Sequence, residues 1–198
     1  MPHQRVLDFW FGRPGPTAEY LKERNKLWFG GAPETDQQIT KFFSEDVHLA
    51  GQGAYQAWEG QPESCLALLL LLDQFSLNIH RDKAAGYLLS EKAIPVALGA
   101  LSKGFDKGFS PPAKSFFYLP LEHAEDLSLQ RDCVAYFTAL EKECEGTFWA
   151  AFAKSSKDWA VRHLQVVENF GRFPHRNEAL QRNSTQAEIE FLKKGAPF

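Results

Sequence analysis

Ser64-Cys-Leu-Ala-Leu-Leu-Leu-Leu-Leu-Asp-Gln-Phe75 is the stretch that decides the fold of this chain. Leu66 to Leu72 are apolar on every face of a helix, and such a helix is normally buried on all sides. The longest apolar run, Cys65 to Leu72, is far too short to cross a bilayer. A helix from Ser64 to about Arg81 is therefore expected at the centre of the molecule, with the remaining elements packed around it.

Helical spacing recurs outward from that centre, and two-residue alternation does not. A first helix is predicted over 4–11, stopped by Gly12, and a second from a Thr17 cap to Phe29, stopped by Gly30-Gly31. A third runs from Asp36 with Ile39, Phe42, Phe43, Val47 and Ala50 on one side. A fifth follows a Ser90 cap to about Ser102, with Pro95 near its start. Pro111 opens a short sixth piece. Pro120 suits the first turn of a long seventh helix reaching Glu145 and ended by Gly146. After a short piece over 147–154, Ser155-x-x-Asp158 reads as the cap of a helix ending at Phe170. Thr185-x-x-Glu188 reads as a capping box for a last helix over 185–193. No linker or repeat interrupts the chain, so one all-α domain over residues 1–198 is expected.

The chain has 198 residues, enough to bury roughly 70% of the unfolded surface. Its 17 Phe residues suit thick packing between helices. A net charge of −3 gives no reason to expect nucleic acid or an anionic membrane as partner. The charge is uneven: residues 154–182 carry six Lys/Arg against three acids, whereas residues 1–153 carry fourteen against twenty. A local basic patch in an acidic protein fits a small anionic molecule, although an ordinary solvated patch has the same composition. Cys65, Cys133 and Cys144 form no Cys-x-x-Cys pair and leave one unpaired under any disulfide scheme, the pattern of a reducing compartment. The amino terminus lacks the apolar region of a signal peptide, so a soluble, cytoplasmic protein is expected.

Polar residues fall on faces that should be apolar. On the helix ending at Phe170, His163 lies in a stripe with Trp159, Val166, Val167 and Phe170. A stripe of His123, Leu127, Gln130, Val134 and Phe137 is expected on the helix after Pro120. There Asp126 or Glu125 can hold the His123 ring and raise its pKa, as a general base requires. The bland alternative is that Glu122, Glu125 and Asp126 simply suit the positive end of a helix dipole. Asp73 and Gln74 follow directly on the leucine run, with Asn78 and Arg81 beyond. A buried carboxylate needs a partner, and Arg81, Arg172 or Arg176 can each serve. The loop Gly171-Arg-Phe-Pro-His-Arg-Asn177 concentrates Arg172, His175, Arg176 and Asn177, with Asn177 placed to cap a short helix over 178–182. Guanidinium forks there suit a carboxylate or phosphate.

Five stretches carry a resemblance: Leu7-Asp-Phe-Trp-Phe-Gly12, Leu66 to Asp73-Gln-Phe75, Tyr118-Leu-Pro-Leu-Glu-His-Ala-Glu-Asp126, Phe170-Gly-Arg-Phe-Pro-His-Arg-Asn177 and Ser184-Thr185. Together they resemble the mostly bacterial family called domain of unknown function 924. The resemblance implies antiparallel helical hairpins of the TPR-like type around the buried central helix, and no established activity. The family usually has Ser where this chain has Ala124 and Arg where it has Leu77. A serine at 124 is thus no required group here, and Asp73 has one fewer neighbouring cation.

Two functions are weighed. In the first, the protein encloses a pocket and performs acid–base chemistry on a small anionic metabolite. His123, Glu125, Asp126, His163 and His175 then form the catalytic wall, and Arg172, Arg176, Asn177, Asp73, Gln74, Arg81 and Gln130 bind the ligand. In the second, an open groove takes a peptide without catalysis. A metal held by His123, Asp126, His163 and His175 is a variant of the first reading, but no metal is assigned, since there is no His-x-x-x-His or Glu-x-x-His pair. No cofactor is assigned either, since no glycine-rich phosphate loop follows a strand. The oligomeric state is not legible.

Overall fold

The structure, a computed structural model, describes residues 2–13 and 15–195; Met1, Pro14 and residues 196–198 of the expected domain lie outside them. Among the described residues every regular element is helical. α1 (Pro2–Phe11), α2 (Ala18–Phe29) and α3 (Pro33–Gly51) lead through a 3₁₀ turn at Gln56–Gly60 to α4 (Pro62–Leu69). α4 passes through a π-helical segment, Leu70–Phe75, into the short α5 (Ser76–Ile79). Then come α6 (Ala84–Ser102), α7 (Pro111–Glu122), α8 (Leu127–Glu143), α9 (Ala150–Phe170), a 3₁₀ turn at Pro174–Arg176, and α10 (Gln186–Lys193).

The leucine run is the axis of the molecule. Leu66 to Leu72 are all at most 3% exposed, and each buried leucine contributes roughly 2 kcal/mol. α1, α3, α6 and α7 all pack on this axis. Trp10 of α1 meets Phe75 and Phe116 edge-to-face at 5.2 and 5.7 Å between ring centroids. Trp28 of α2 donates from Nε1 to the Trp10 carbonyl at 2.9 Å, which ties the amino-terminal helices to the same core. The buried apolar residues form one main cluster from Val6 to Ala160, with a smaller one at Val166, Val167 and Phe173.

α7, α8 and α9 form consecutive antiparallel hairpins. Gln130 at the start of α8 reaches the carbonyls of Glu122 and Ala124 at the end of α7, while Lys114 near the start of α7 pairs with Glu143 at the end of α8. The ion pairs Lys157–Glu141 and Arg131–Glu168 fix the opposite directions of α8 and α9.

Several local signals act as expected. Thr17 caps α2 by accepting from the Tyr20 amide, and Thr185 and Glu188 complete the capping box of α10. Gly171 ends α9 with φ 69°, the left-handed conformation that glycine adopts without strain, and its amide bonds the Val167 carbonyl at 2.8 Å.

Other expectations are corrected. Pro120 lies inside α7, which stops at Glu122, and Asp126 caps a separate helix, so the expected stripe from His123 to Phe137 is broken at its first member. Ser90 lies within α6 and caps nothing. Residues 150–170 form one helix without a break at Ser155. Trp159 is 39% exposed and Phe42 50% exposed, so neither belongs to the stripe assigned to it. Residues 178–181 form turns and Arg182 is irregular, so no α-helix spans 178–182, and Asn177 ends the preceding 3₁₀ turn instead of capping a helix.

Candidate functional site

Asp73 stands in the π-helical segment, 1% exposed. The wide turn is a feature often found at functional sites, and here it carries Asp73 and the adjacent Gln74. Gln74 donates from Nε2 to Oδ2 at 2.6 Å, the Ser90 hydroxyl donates to Oδ1, and His123 donates from Nδ1 to Oδ1 at 2.7 Å. Burial by itself would raise this carboxyl. The charge of His123 and the three hydrogen bonds more than offset it, so Asp73 is held below the usual carboxylate range.

His123 is the residue on which α7 closes. Its amide bonds back to the Leu119 carbonyl, and the Arg176 guanidinium donates from Nη1 to its own carbonyl at 2.9 Å. Burial opposes charge on the ring, but the Asp73 carboxylate raises its pKa above the ordinary value, with a smaller push from Glu122. The side chain keeps 18% of its surface exposed. Because Nδ1 is committed to Asp73, Nε2 is the nitrogen left for a ligand.

The expectation that Asp126 or Glu125 orients this ring is therefore corrected. Asp126 turns outward and accepts from the Leu129 amide at 2.9 Å as the cap of α8. Glu125 accepts the Phe173 amide at 2.7 Å and both Arg182 nitrogens at 2.5 and 2.9 Å. It is a lock between the α7–α8 corner and the loop after α9.

His163 projects from α9 toward His123, with ring centroids 6.3 Å apart. Its Nδ1 donates to the Trp159 carbonyl at 3.0 Å and lies 3.4 Å from Glu122 Oε1. Burial drives the His163 pKa down to about 3 and drives the Glu122 carboxyl up to about 7. His163 is thus neutral near neutral pH, and Glu122 keeps its proton below about pH 7. Glu122 is the last residue of α7, far from the positive helix end where the sequence reading put it. His175 sits edge-on to Tyr87 at 6.4 Å and against Phe173 at 5.8 Å, and burial lowers its pKa to about 4.

Arg176 is the cation of the cluster. It is 7% exposed, with its guanidinium over the rings of Phe173 and Tyr87 at 4.4 and 5.0 Å. Such stacking holds a guanidinium that burial would otherwise disfavour.

The remaining candidates are not at this cluster. Arg172 is taken by Glu188 at 2.7 and 3.0 Å and by the Asn183 carbonyl, and Arg81 by both oxygens of Asp36 at 2.7 Å. Neither pairs with Asp73. Asn177 accepts from Arg182 Nε and donates to the Ser184 hydroxyl. Gln130 spends its amide on carbonyls at the end of α7. The structure therefore unites Asp73, Gln74, His123, His163, His175 and Arg176, and gives Arg172, Arg81, Asn177, Gln130, Glu125 and Asp126 to structural bonds. Ser90, Glu122 and Tyr87 were not singled out as site residues. A polar side chain inside an apolar motif, as in Leu119-Pro-Leu-Glu-His123, was the available signal for Glu122.

The sequence pattern of the family described as bacterial protein of unknown function (DUF924) matches residues 6–196. The chain belongs to this family. A solved structure of a protein of unknown function from Agrobacterium tumefaciens is similar to it, with 31% identity and a TM-score of 0.78, covering 98% of each chain. No curated protein matches the chain. Among the described residues, no helix is long and apolar enough to cross a membrane, and no group of three or more His, Cys, Asp or Glu is arranged to hold a metal ion.

Proposed function

We propose that the Asp73–His123 pair is the proton-transfer centre of an enzyme acting on a small anionic metabolite. The observation that carries the reading is the carboxylate–imidazole bond itself, 2.7 Å long and buried at its Asp73 end. It fixes the tautomer, directs Nε2 toward the ligand, and gives the ring the basicity of a general base. Arg176 is the anion anchor. With Glu122 protonated and His123 in its neutral, base form, Arg176 balances the charge of Asp73, so the site sets no net negative charge against an anion. His163 and His175 form the neutral wall, and Gln74 and Ser90 hold Asp73. All three cysteines are buried and free, which supports a cytoplasmic setting. The antiparallel α7–α8–α9 run supports the TPR-like comparison.

A thermal-shift screen of small carboxylates and phosphates tests this. At least one should raise the Tm of the wild type and lose its effect in a folded His123→Ala variant. An anion that stabilises both proteins equally binds elsewhere and removes the basis of the proposal.

A further inference from the structure

Glu122 sits where an ionised carboxylate is poorly served. It is 4% exposed, and among the described residues its Oε2 has no hydrogen-bond partner. Oε1 stands 3.4 Å from His163 Nδ1, but that N–H is directed at the Trp159 carbonyl. The groups that face Glu122 are His123 beside it, His163 from α9, Cys133 from α8 and Asp73 from the π-helical segment. Arg176 and His175 act on the histidines, and Tyr87 packs against both Arg176 and His175. His123, the nearest cation, is already balanced by Asp73. An unbalanced buried charge is avoided by taking up a proton.

We infer that Glu122 is held as a neutral carboxylic acid and serves the site as an uncharged O–H donor beside the His123 base, which narrows the substrate to an anion with a carbonyl next to the carbon that loses its proton. The inference rests on the proton-transfer reading of the same site. The carbonyl oxygen of the Glu122 acid takes the share of His163 Nδ1–H that Trp159 leaves, and Oε2–H remains to donate. In the step, His123 Nε2 takes the proton from carbon. The C–H electron pair becomes the new C=C bond, and the carbonyl π pair moves to oxygen. The resulting enolate oxygen accepts from Oε2–H. When the substrate carries a C=C bond between the β and γ carbons, the enolate is a dienolate, and return of the proton from His123 to its γ carbon completes an isomerisation with no other reactant. A carboxylic acid kept neutral by an apolar site is suited to this donor role.

Oxalate, a planar dianion shaped like the enolate of a 2-oxo acid, is the probe. Infrared spectra of the wild type and of Glu122→Gln between pH 5 and pH 9 identify the Glu122 carbonyl, and the histidine Cε1–H NMR signals of the same samples report on His123. The wild type should show a protonated-carboxyl band at pH 6 that is missing from Glu122→Gln, fades above about pH 7 and shifts when oxalate binds. Glu122→Gln, which keeps a neutral donor, should retain oxalate, and Glu122→Met should bind it about tenfold more weakly. An ionised Glu122 at pH 6, a wild type that does not bind oxalate, or equal binding by the Gln and Met variants would overturn the inference. If Glu122→Met does not fold, the infrared comparison with Glu122→Gln decides. A His123 signal that responds to other small anions leaves the site reading standing in each of those cases; a His123 that responds to no anion removes the site reading itself.

Discussion

The ring of His123 donates to the carboxylate of Asp73 across 50 residues of chain, joining the end of α7 to the π-helical turn of the central axis. The bond is as much a clamp as a chemical device, since it ties the first half of the molecule to the second. Asp73→Asn should cost about 3 kcal/mol, because it leaves a largely buried ring with a poorer acceptor. In a double-mutant cycle with His123→Ala, measured by chemical denaturation, the two losses should be strongly non-additive. Additive losses would mean that the two side chains do not act together.

Glu122 gives a stability signature of its own. Its folded pKa, about 7, is raised above the ordinary value, so the folded state binds the extra proton between about pH 4.5 and pH 7. Stability from this group is full below that window and is lost as pH rises through it. A shift of this size corresponds to about 3 kcal/mol at most. Glu122→Gln removes the penalty, so its Tm relative to the wild type should rise by several degrees from pH 5 to pH 8. His163 acts in the opposite direction. Its pKa is depressed to about 3, so its contribution is lost as pH falls below about 6.5. The Glu122 effect must therefore be read as a difference between variant and wild type. A constant Tm difference across this range would show that Glu122 does not change its protonation there.

The carboxy-terminal segment is held by a compact set of bonds. Glu188 closes the capping box of α10 and receives Arg172 on both oxygens, and Arg172 also reaches the Asn183 carbonyl. Thr185→Ala should cost about 1 kcal/mol. Its effect should appear as faster amide exchange over residues 185–193, with the core around Leu70 unchanged. Protection lost equally throughout the molecule would mean that α10 unfolds only with the whole chain.

Much of the fold was legible because its signals are local. The unbroken apolarity of Leu66 to Leu72, the Thr185–Glu188 capping box and the glycine after Phe170 each act within one or two turns. The boundary between α7 and α8 was not legible for a definite reason. Pro120 is commonest in the first turn of a helix, yet here it lies two residues before the last. That displacement made Asp126 look like a neighbour of His123, when it is the cap of the next helix. The site followed the same division. His123, His163, His175, Arg176, Asp73 and Gln74 were marked by being polar among apolar neighbours. The partners were not, because Asp73, Ser90 and His123 meet only through the packing of the π-helical segment, α6 and α7. Ser90 looked like a helix cap for want of any local sign that its hydroxyl was needed 17 residues away.

The central claim is that Asp73 makes His123 the basic group of an anion site, and a pH titration of the histidine Cε1–H signals by NMR tests it most directly. His123 should titrate above the ordinary histidine value in the wild type, drop back in Asp73→Asn, and move again when an anion found in the thermal-shift screen is added. A His123 that titrates at or below the ordinary value, unchanged in Asp73→Asn, would contradict the account.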